Sequence, residues 1–171
     1  TELNLWQKIK TKSIQGRRTG VGITAEGDML AALGLKYGTK EATEFSTDVH
    51  KKFALSAYRA SVDMAKDRGA FPIYDSIREE KNPMINRIRE ADATLYNDMV
   101  KFGRRNIALL TIAPTGTTSL MTQTSSGIEP VFMVSYKRRR KVNPNDKKVK
   151  VDFVDEVGDS WEEFHVFHHK F

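Results

Sequence analysis

An almost continuous apolar run, from Ile107 to Ile112, is the feature that most constrains the fold of this sequence. Strands that are buried on both faces carry such runs, and these strands are typical of parallel sheets. Pro-Thr-Gly-Thr follows at once, and a proline cannot donate to a central sheet ladder. We therefore predict a strand over Arg104–Ile112 in an α/β fold, followed by a short helix over 117–122.

Apolar periodicity and capping residues predict helices on both sides of this strand. They cover residues 2–14, 29–36 and 40–69, a short piece within 70–82 and two helices within 82–103, and a last helix begins at Ser160. Asp28 is the predicted N-cap of the second helix and Gly38 its end. Extended segments are predicted at 17–23, 131–141 and 149–154, the last two as an antiparallel hairpin turning at residues 143–146.

The composition is that of an ordinary soluble domain, with 39% hydrophobic and 29% charged residues among 171. No apolar run reaches the roughly 20 residues of a membrane helix, so we expect no membrane partner and a cytoplasmic location. The absence of cysteine excludes disulfides, zinc–thiolate sites and cysteine nucleophiles from this stretch. The first residues show neither an initiating Met nor a signal peptide, so we expect an excerpt of a longer protein.

A segment rich in hydroxyl residues, 109–130, follows the predicted strand. A helix that starts after such a turn directs free backbone N–H groups and a favourable dipole toward an anion. Gly116 allows a ligand close to the backbone. Further donors would come from the hydroxyls of Thr115, Thr117, Thr118 and Ser119. The alternative is a plain helix N-cap. The segment is not a Walker A loop, because no Lys follows the glycine.

Three other features have a functional and a structural interpretation. The Gly-x-Gly within 19–27 is a weak dinucleotide signal, and a strand packed closely on its neighbour is the alternative. Residues 136–150 hold eight basic residues and one acidic residue, which suits either nucleic acid or a solvated hairpin face. His165, His168 and His169 are a metal-site candidate on a helix, or else surface histidines.

Three stretches, in the same order, resemble the C-terminal part of the catalytic barrel of ribonucleotide reductase large subunits. They are "RRTGVGI" (17–23), "AKDRGAFPIYDS" (65–76) and "LLTIAPTGTTSLMTQTSSGIEPVF" (109–132). The similarity runs from about Arg17 to about Val134. Within the family, the residues of these stretches are most similar to those of the adenosylcobalamin-dependent class II branch.

The resemblance implies a fold and an activity. The fold would be a partial ten-stranded α/β barrel, its second half, with a β-hairpin near the C-terminus and residues 1–171 as a single fragment. The parent would reduce the ribose 2′-carbon of a ribonucleotide by radical chemistry. Its cofactor would be adenosylcobalamin. Its partners would be the ribonucleotide substrate, the remaining half of the barrel and a thioredoxin-like or other dithiol reductant.

The resemblance also implies which residues hold the substrate's phosphates, through backbone N–H groups and hydroxyls. They are Ala113, Pro114, Thr115, Gly116, Thr117 and Thr118. The family's radical and redox cysteines lie elsewhere in the parent, so we expect no catalytic residue here and no turnover by this fragment alone. The alternative function is a basic nucleic-acid-binding module that uses 136–150. It would show binding to polynucleotide that falls steeply with salt.

Overall fold

The computed structural model describes residues 2–143, 145–146 and 148–168. The helices in chain order are α1 (Glu2–Gly16), α2 (Glu26–Ala32), α3 (Lys40–Arg68), α4 (Ser76–Glu79), α5 (Pro83–Ala91), α6 (Ala93–Phe102) and α7 (Gly116–Thr122). The strands are β1 (Ser135–Lys141), β2 (Phe153–Val154) and β3 (Ser160–Phe167). The chain forms two compact units, one with residues 2–23 and 35–113 and the other with 24–34 and 114–168. The α/β class is therefore confirmed.

The first unit is organised by the long helix α3. Thr39 caps its start by accepting from the Ala42 N–H, and Gly69, at φ +77°, ends it by donating to Ala65. Helix α6 packs against both α3 and α5, and apolar side chains of the three helices share one buried cluster with Leu109. The cluster contains Tyr58, Val62, Ile85, Ile88, Leu95, Met99 and Leu109. The predicted helices over 2–14, 40–69 and 82–103 are confirmed.

The predicted strand over Arg104–Ile112 is not formed as such among the described residues. The segment is extended, and it makes one isolated parallel bridge, between Val21 and Leu110. A buried strand needs neighbours on both edges and faces, whereas Ile112 is 63% exposed here. The predicted parallel direction is confirmed, and so is the extended segment at 17–23.

The second unit combines α2, α7 and a three-stranded sheet of order β1-β3-β2. Both neighbours of β3 are antiparallel to it. The prediction that 149–154 returns onto 131–141 is wrong, because β3 lies between them. The predicted helix from Ser160 is also wrong. The segment is the strand β3, in which Glu162 and Glu163 pair across the sheet with Arg140 and Arg139 of the basic strand β1, and such cross-strand pairs stabilise a strand.

Helix α2 also differs from its prediction. It begins at Glu26 after Ala25, which has the left-handed φ of 66°, and Asp28 lies in its first turn rather than at its N-cap. Its end is at Ala32, followed by Gly34 at φ +71°. The Asp28 carboxylate does not cap the helix and instead accepts a hydrogen bond from the Ser125 N–H. At the predicted turn 143–146, the Asp146 N–H donates to Asn143 at 2.8 Å, while Pro144 lies outside the described residues.

Candidate phosphate-binding site

The six predicted phosphate-binding residues form a turn followed by a helix, as expected. Ala113 and the exposed Pro114 lead into Thr115, and α7 begins at Gly116. Thr115 has φ 49° and ψ 27°, the left-handed conformation that is unusual for a β-branched residue. This conformation turns the chain sharply from the extended segment into the helix. The predicted helix over 117–122 is confirmed with one more residue at its start.

The backbone at the start of α7 has N–H groups that bind no acceptor within the described residues. The Ser119 N–H donates to the Thr115 carbonyl at 2.8 Å and closes the first turn. The N–H groups of residues 116–118 precede that bond, and the described part of the chain gives them no acceptor. A Cβ added at Gly116 would meet no atom within 4 Å. The first turn therefore has three backbone donors beside open space.

The four hydroxyls of this segment divide into two pairs. Thr117 and Thr118 are exposed, and their hydroxyls make no hydrogen bond within the described residues. The Ser119 hydroxyl is buried and donates to the Gly116 carbonyl at 2.9 Å. The Thr115 hydroxyl is also hydrogen-bonded within the protein. The Ser119 hydroxyl is thus engaged within the helix and the Thr115 hydroxyl with neighbouring segments, while binding of a ligand by these hydroxyls stays a prediction.

Thr115 is tied to two other segments of its unit. Its Oγ1 accepts from the Gly127 N–H at 2.7 Å and lies 2.8 Å from the Thr24 Oγ1. The Thr24 hydroxyl donates to the Ser125 carbonyl at 3.3 Å. Either threonine can donate the hydrogen of the bond between them, since each hydroxyl has one hydrogen. A continuous chain of hydrogen bonds runs from Gly127 through both threonines to Ser125.

Asp28 supports the far end of that chain. Its Oδ2 accepts from the Ser125 N–H at 3.0 Å, and its own N–H lies 3.4 Å from the Ser125 Oγ. Its other carboxylate oxygen lies 3.5 Å from the His168 Nε2, in a pair that is only 12% and 14% exposed. Sequence reasoning missed Thr24, Ser125 and the role of Asp28, because no local pattern joins residues about 100 positions apart.

Close backbone packing holds the same region. A Cβ on Gly27 would lie 2.5 Å from the Glu129 carbonyl oxygen and 2.7 Å from the Pro130 Cα. The Glu26 N–H donates to the Gly127 carbonyl at 3.3 Å. The start of α2 therefore packs directly on the Gly-Ile-Glu-Pro segment.

The Gly-x-Gly of 19–27 has the structural role. Gly20 lies against the Thr111 side chain, and a Cβ on Gly22 would overlap the Thr111 carbonyl oxygen. The Val21 N–H donates to Leu109, and the Thr111 N–H donates back to Val21. The glycines thus allow two extended segments to approach closely, and the alternative of a closely packed strand is confirmed.

The basic stretch 136–150 is largely neutralised by its own sheet. Lys137 and Arg139 both bind Glu163, at 3.2 and 2.9 Å, and these contacts lower the pKa of that carboxyl. Similar pairs join Arg140 to Glu162 and Lys141 to Asp159. Residues 135–168 hold eight basic and seven acidic residues. A nucleic-acid surface needs unpaired cations, so this sheet does not favour the nucleic-acid alternative.

The histidine candidate also fails as proposed. His165 lies on β3 rather than on a helix, its ring 6.1 Å from that of Phe167, and His169 lies outside the described residues. No group of three or more potential metal ligands occurs in the described part of the chain. His168 instead faces Asp28.

Comparison with known proteins identifies the family. Residues 4–163 match the family described as "Ribonucleotide reductase, barrel domain". The chain belongs to this family. The family recognised from the three sequence stretches is thereby confirmed. No helix in the described ranges has the length and hydropathy needed to cross a bilayer.

The individual relatives include vitamin B12-dependent ribonucleoside-diphosphate reductases and ribonucleoside-diphosphate reductase alpha subunits. A vitamin B12-dependent ribonucleoside-diphosphate reductase of Mycobacterium tuberculosis is 32% identical over 122 residues, which is 71% of this chain and 15% of that protein. The enzyme of the same name from Thermoplasma acidophilum is 31% identical over 132 residues, 77% of this chain and 15% of that protein. The ribonucleoside-diphosphate reductase subunit alpha of Chlamydia pneumoniae is 30% identical over 144 residues, 73% and 14% of the two chains. This chain thus spans about a seventh of the length of these relatives.

Proposed function

We propose that this chain is part of a ribonucleoside di- or triphosphate reductase and that it supplies the loop that binds the substrate's phosphates. The observation that carries the proposal is the first turn of α7. It combines unpartnered N–H groups at residues 116–118, two exposed hydroxyls and an open approach to Gly116. Such a turn suits a polyanion, since it offers several donors and the positive end of a helix dipole.

The ligand set in this proposal is narrower than the sequence motif. Backbone donors of Gly116, Thr117 and Thr118 bind the phosphates, and the Thr117 and Thr118 hydroxyls add to them. Ala113 and Pro114 have the role of directing the chain into the turn. Each charge-assisted bond from an N–H group to a phosphate oxygen contributes about 1.5–3 kcal/mol.

The proposed reaction is reduction of the ribose 2′-carbon, for which the chain contributes substrate binding and no redox group. It contains no cysteine, so the radical-bearing thiol and the redox pair come from other parts of the parent. The isolated chain is accordingly inactive in this proposal. A thioredoxin-like or other dithiol reductant regenerates the parent's cysteines.

Adenosylcobalamin is the proposed cofactor of the parent, supported by the vitamin B12-dependent names of two relatives. When bound, it supplies the radical that starts the reduction.

The proposed fold of the parent is the ten-stranded α/β barrel, with this chain as most of its second half. The parallel bridge between Val21 and Leu110 supports this placement, because it joins two extended segments that would be neighbouring strands. Large apolar side chains remain exposed, including Leu120 and Met121 on α7 at 80% and 83%. The remaining half of the barrel is the proposed partner that covers such surface.

The test is substitution of Gly116 in the full-length parent. Gly116→Ala and Gly116→Val place a Cβ where the structure has open space, so neither should disturb the chain itself. The added Cβ should push a phosphate away from the backbone, so that about one charge-assisted hydrogen bond is lost. The expected result is about a tenfold to hundredfold weaker binding of cytidine diphosphate, measured by calorimetry, with a matching rise in KM.

The control is Ser76→Val, at the same first helical position of α4. It reports the effect of a β-branched residue at a helix start that has no proposed ligand. If Gly116→Val binds cytidine diphosphate as tightly as the wild type does, the turn is a helix start only and the phosphate proposal is wrong.

A further inference from the structure

The two exposed hydroxyls and the Thr115 hydroxyl differ in what they can offer a phosphate. A phosphate oxygen is an acceptor, so a useful hydroxyl must have its hydrogen available. The Thr115 hydroxyl accepts from the Gly127 N–H at 2.7 Å, and its Oγ1 lies 2.8 Å from the Thr24 Oγ1 in a second hydrogen bond. Its oxygen is therefore already engaged with two protein groups, in contrast to the exposed hydroxyls of Thr117 and Thr118.

Thr115 nevertheless has a demanding conformation. Its φ of 49° is disfavoured for a β-branched residue, and such a strained conformation persists only where the surrounding structure holds it. Its side chain has no N-cap bond to the helix that follows. The contacts that hold it are those to Gly127 and Thr24.

We propose that Thr115 is a positioning residue that works in partnership with Thr24. The hydrogen-bonded pair holds residue 115 in the left-handed conformation, and that conformation sets the direction of the N–H groups of 116–118. The inference rests on the proposed phosphate site and assigns Thr115 a different role from Thr117 and Thr118. Those two act as ligands, while Thr115 and Thr24 act through the backbone.

The anchor at the other end of the chain of bonds is rigid enough for this role. Ser125 is 7% exposed, and the Thr24 hydroxyl donates to its carbonyl. Its N–H donates to the Asp28 carboxylate at 3.0 Å. A change at Thr24 should therefore alter the turn even though Thr24 precedes α2 and makes no contact with the N–H groups of residues 116–118.

The experiment is a double-mutant cycle in the full-length parent, with Thr24→Val, Thr115→Val and the double variant. Valine keeps the shape of threonine and removes the hydroxyl. We expect each single variant to lower kcat/KM for cytidine diphosphate about tenfold, because a neutral hydrogen bond is lost and a misdirected turn displaces the substrate. The double variant should resemble the worse single variant, because both substitutions break the same bond.

Two comparison variants separate positioning from direct binding. Thr115→Ser keeps the hydroxyl and should stay within about twofold of the wild type in kcat and in the Kd for cytidine diphosphate. Thr117→Val should raise KM with little change in kcat, as expected when uniform binding is lost. The positioning variants should lower kcat as well. Thr47→Val, on the exposed face of α3, controls for the exchange of threonine for valine.

The variants distinguish failure of the positioning role from failure of the proposed phosphate site. If Gly116→Val does not weaken binding of cytidine diphosphate, the site and the positioning role both fail. If Gly116→Val weakens binding but Thr24→Val is silent, or the two valine effects multiply, only the positioning role fails. Should Thr115→Val not fold, Thr24→Val alone decides between these outcomes, since Thr24 has no strained φ.

Discussion

Glu79→Ala is expected to loosen the segment that leads from α6 into the extended residues 107–112. The Arg104 side chain is 2% exposed, and its guanidinium donates to both carboxylate oxygens of Glu79, at 2.8 and 3.1 Å. Its other N–H groups donate to the carbonyls of Asn106 and Ile107 at 3.1 and 3.2 Å. Glu79 is therefore the counter-charge of a cation that has almost no contact with water.

The size of the effect follows from these contacts. Removing one partner of a buried ion pair costs about 3–5 kcal/mol, because the other charge stays buried. Two features reduce the cost. The guanidinium lies 5.4 Å from the centre of the Phe71 ring, and Glu79 is 17% exposed, so water can enter the vacated space. We therefore expect the lower end, about 3 kcal/mol, which corresponds to about 150-fold faster local opening.

Hydrogen exchange followed by mass spectrometry measures this opening in the whole protein. Peptides that cover residues 99–112 should exchange about 150-fold faster in Glu79→Ala than in the wild type. The control is Glu80→Ala, since Glu80 is the adjacent residue and is exposed. It should change exchange by less than about threefold. Equal exchange in the two variants would refute the reasoning that Glu79 compensates the buried charge of Arg104.

Two further predictions concern packing and pH. Gly22→Ala should strongly accelerate exchange of the Thr111 N–H, because the new Cβ overlaps the Thr111 carbonyl oxygen, and an unchanged rate would contradict this packing. The pKa of Asp92 is lowered by the hydrogen bond from the Leu95 N–H and by Arg59, so its charge stabilises the fold above the ordinary pKa of 3.8 and that stability is lost as pH falls through the lowered pKa. Asp92→Asn, which keeps an acceptor for the cap, should lose less stability between about pH 6 and about pH 2 in urea unfolding than the wild type does, and an equal loss would contradict the assignment.

Elements whose causes lie within a few residues were predictable. The start and end of α3 depend on Thr39 and Gly69, and the start of α5 depends on Asn82 and Pro83. Each of these residues acts on backbone groups two to four positions away. The family resemblance was equally accessible, because it rests on contiguous stretches of sequence.

Elements whose causes are distant were not predictable. Ser160–Phe167 has a helix-compatible start, yet it is a strand because Arg139 and Arg140 lie opposite Glu163 and Glu162 in the register. The extended segment 107–112 has a strand-like sequence, yet among the described residues it finds only one bridging neighbour. Tertiary partners decided the outcome in both places.

A long-range contact of the same kind joins two separated motifs of this chain. Pro-Thr-Gly-Thr and Ser-Ser-Gly-Ile-Glu-Pro are joined by the bond from the Gly127 N–H to the Thr115 Oγ1, at 2.7 Å. Gly127 is buried and has φ +54°, which suits glycine, so a larger residue there would move its N–H away from Thr115. The second motif therefore carries no ligand of its own in the proposed site. It supplies the donor that, with Thr24, keeps the left-handed residue 115 in place, and its spacing from the first motif is set by the length of α7.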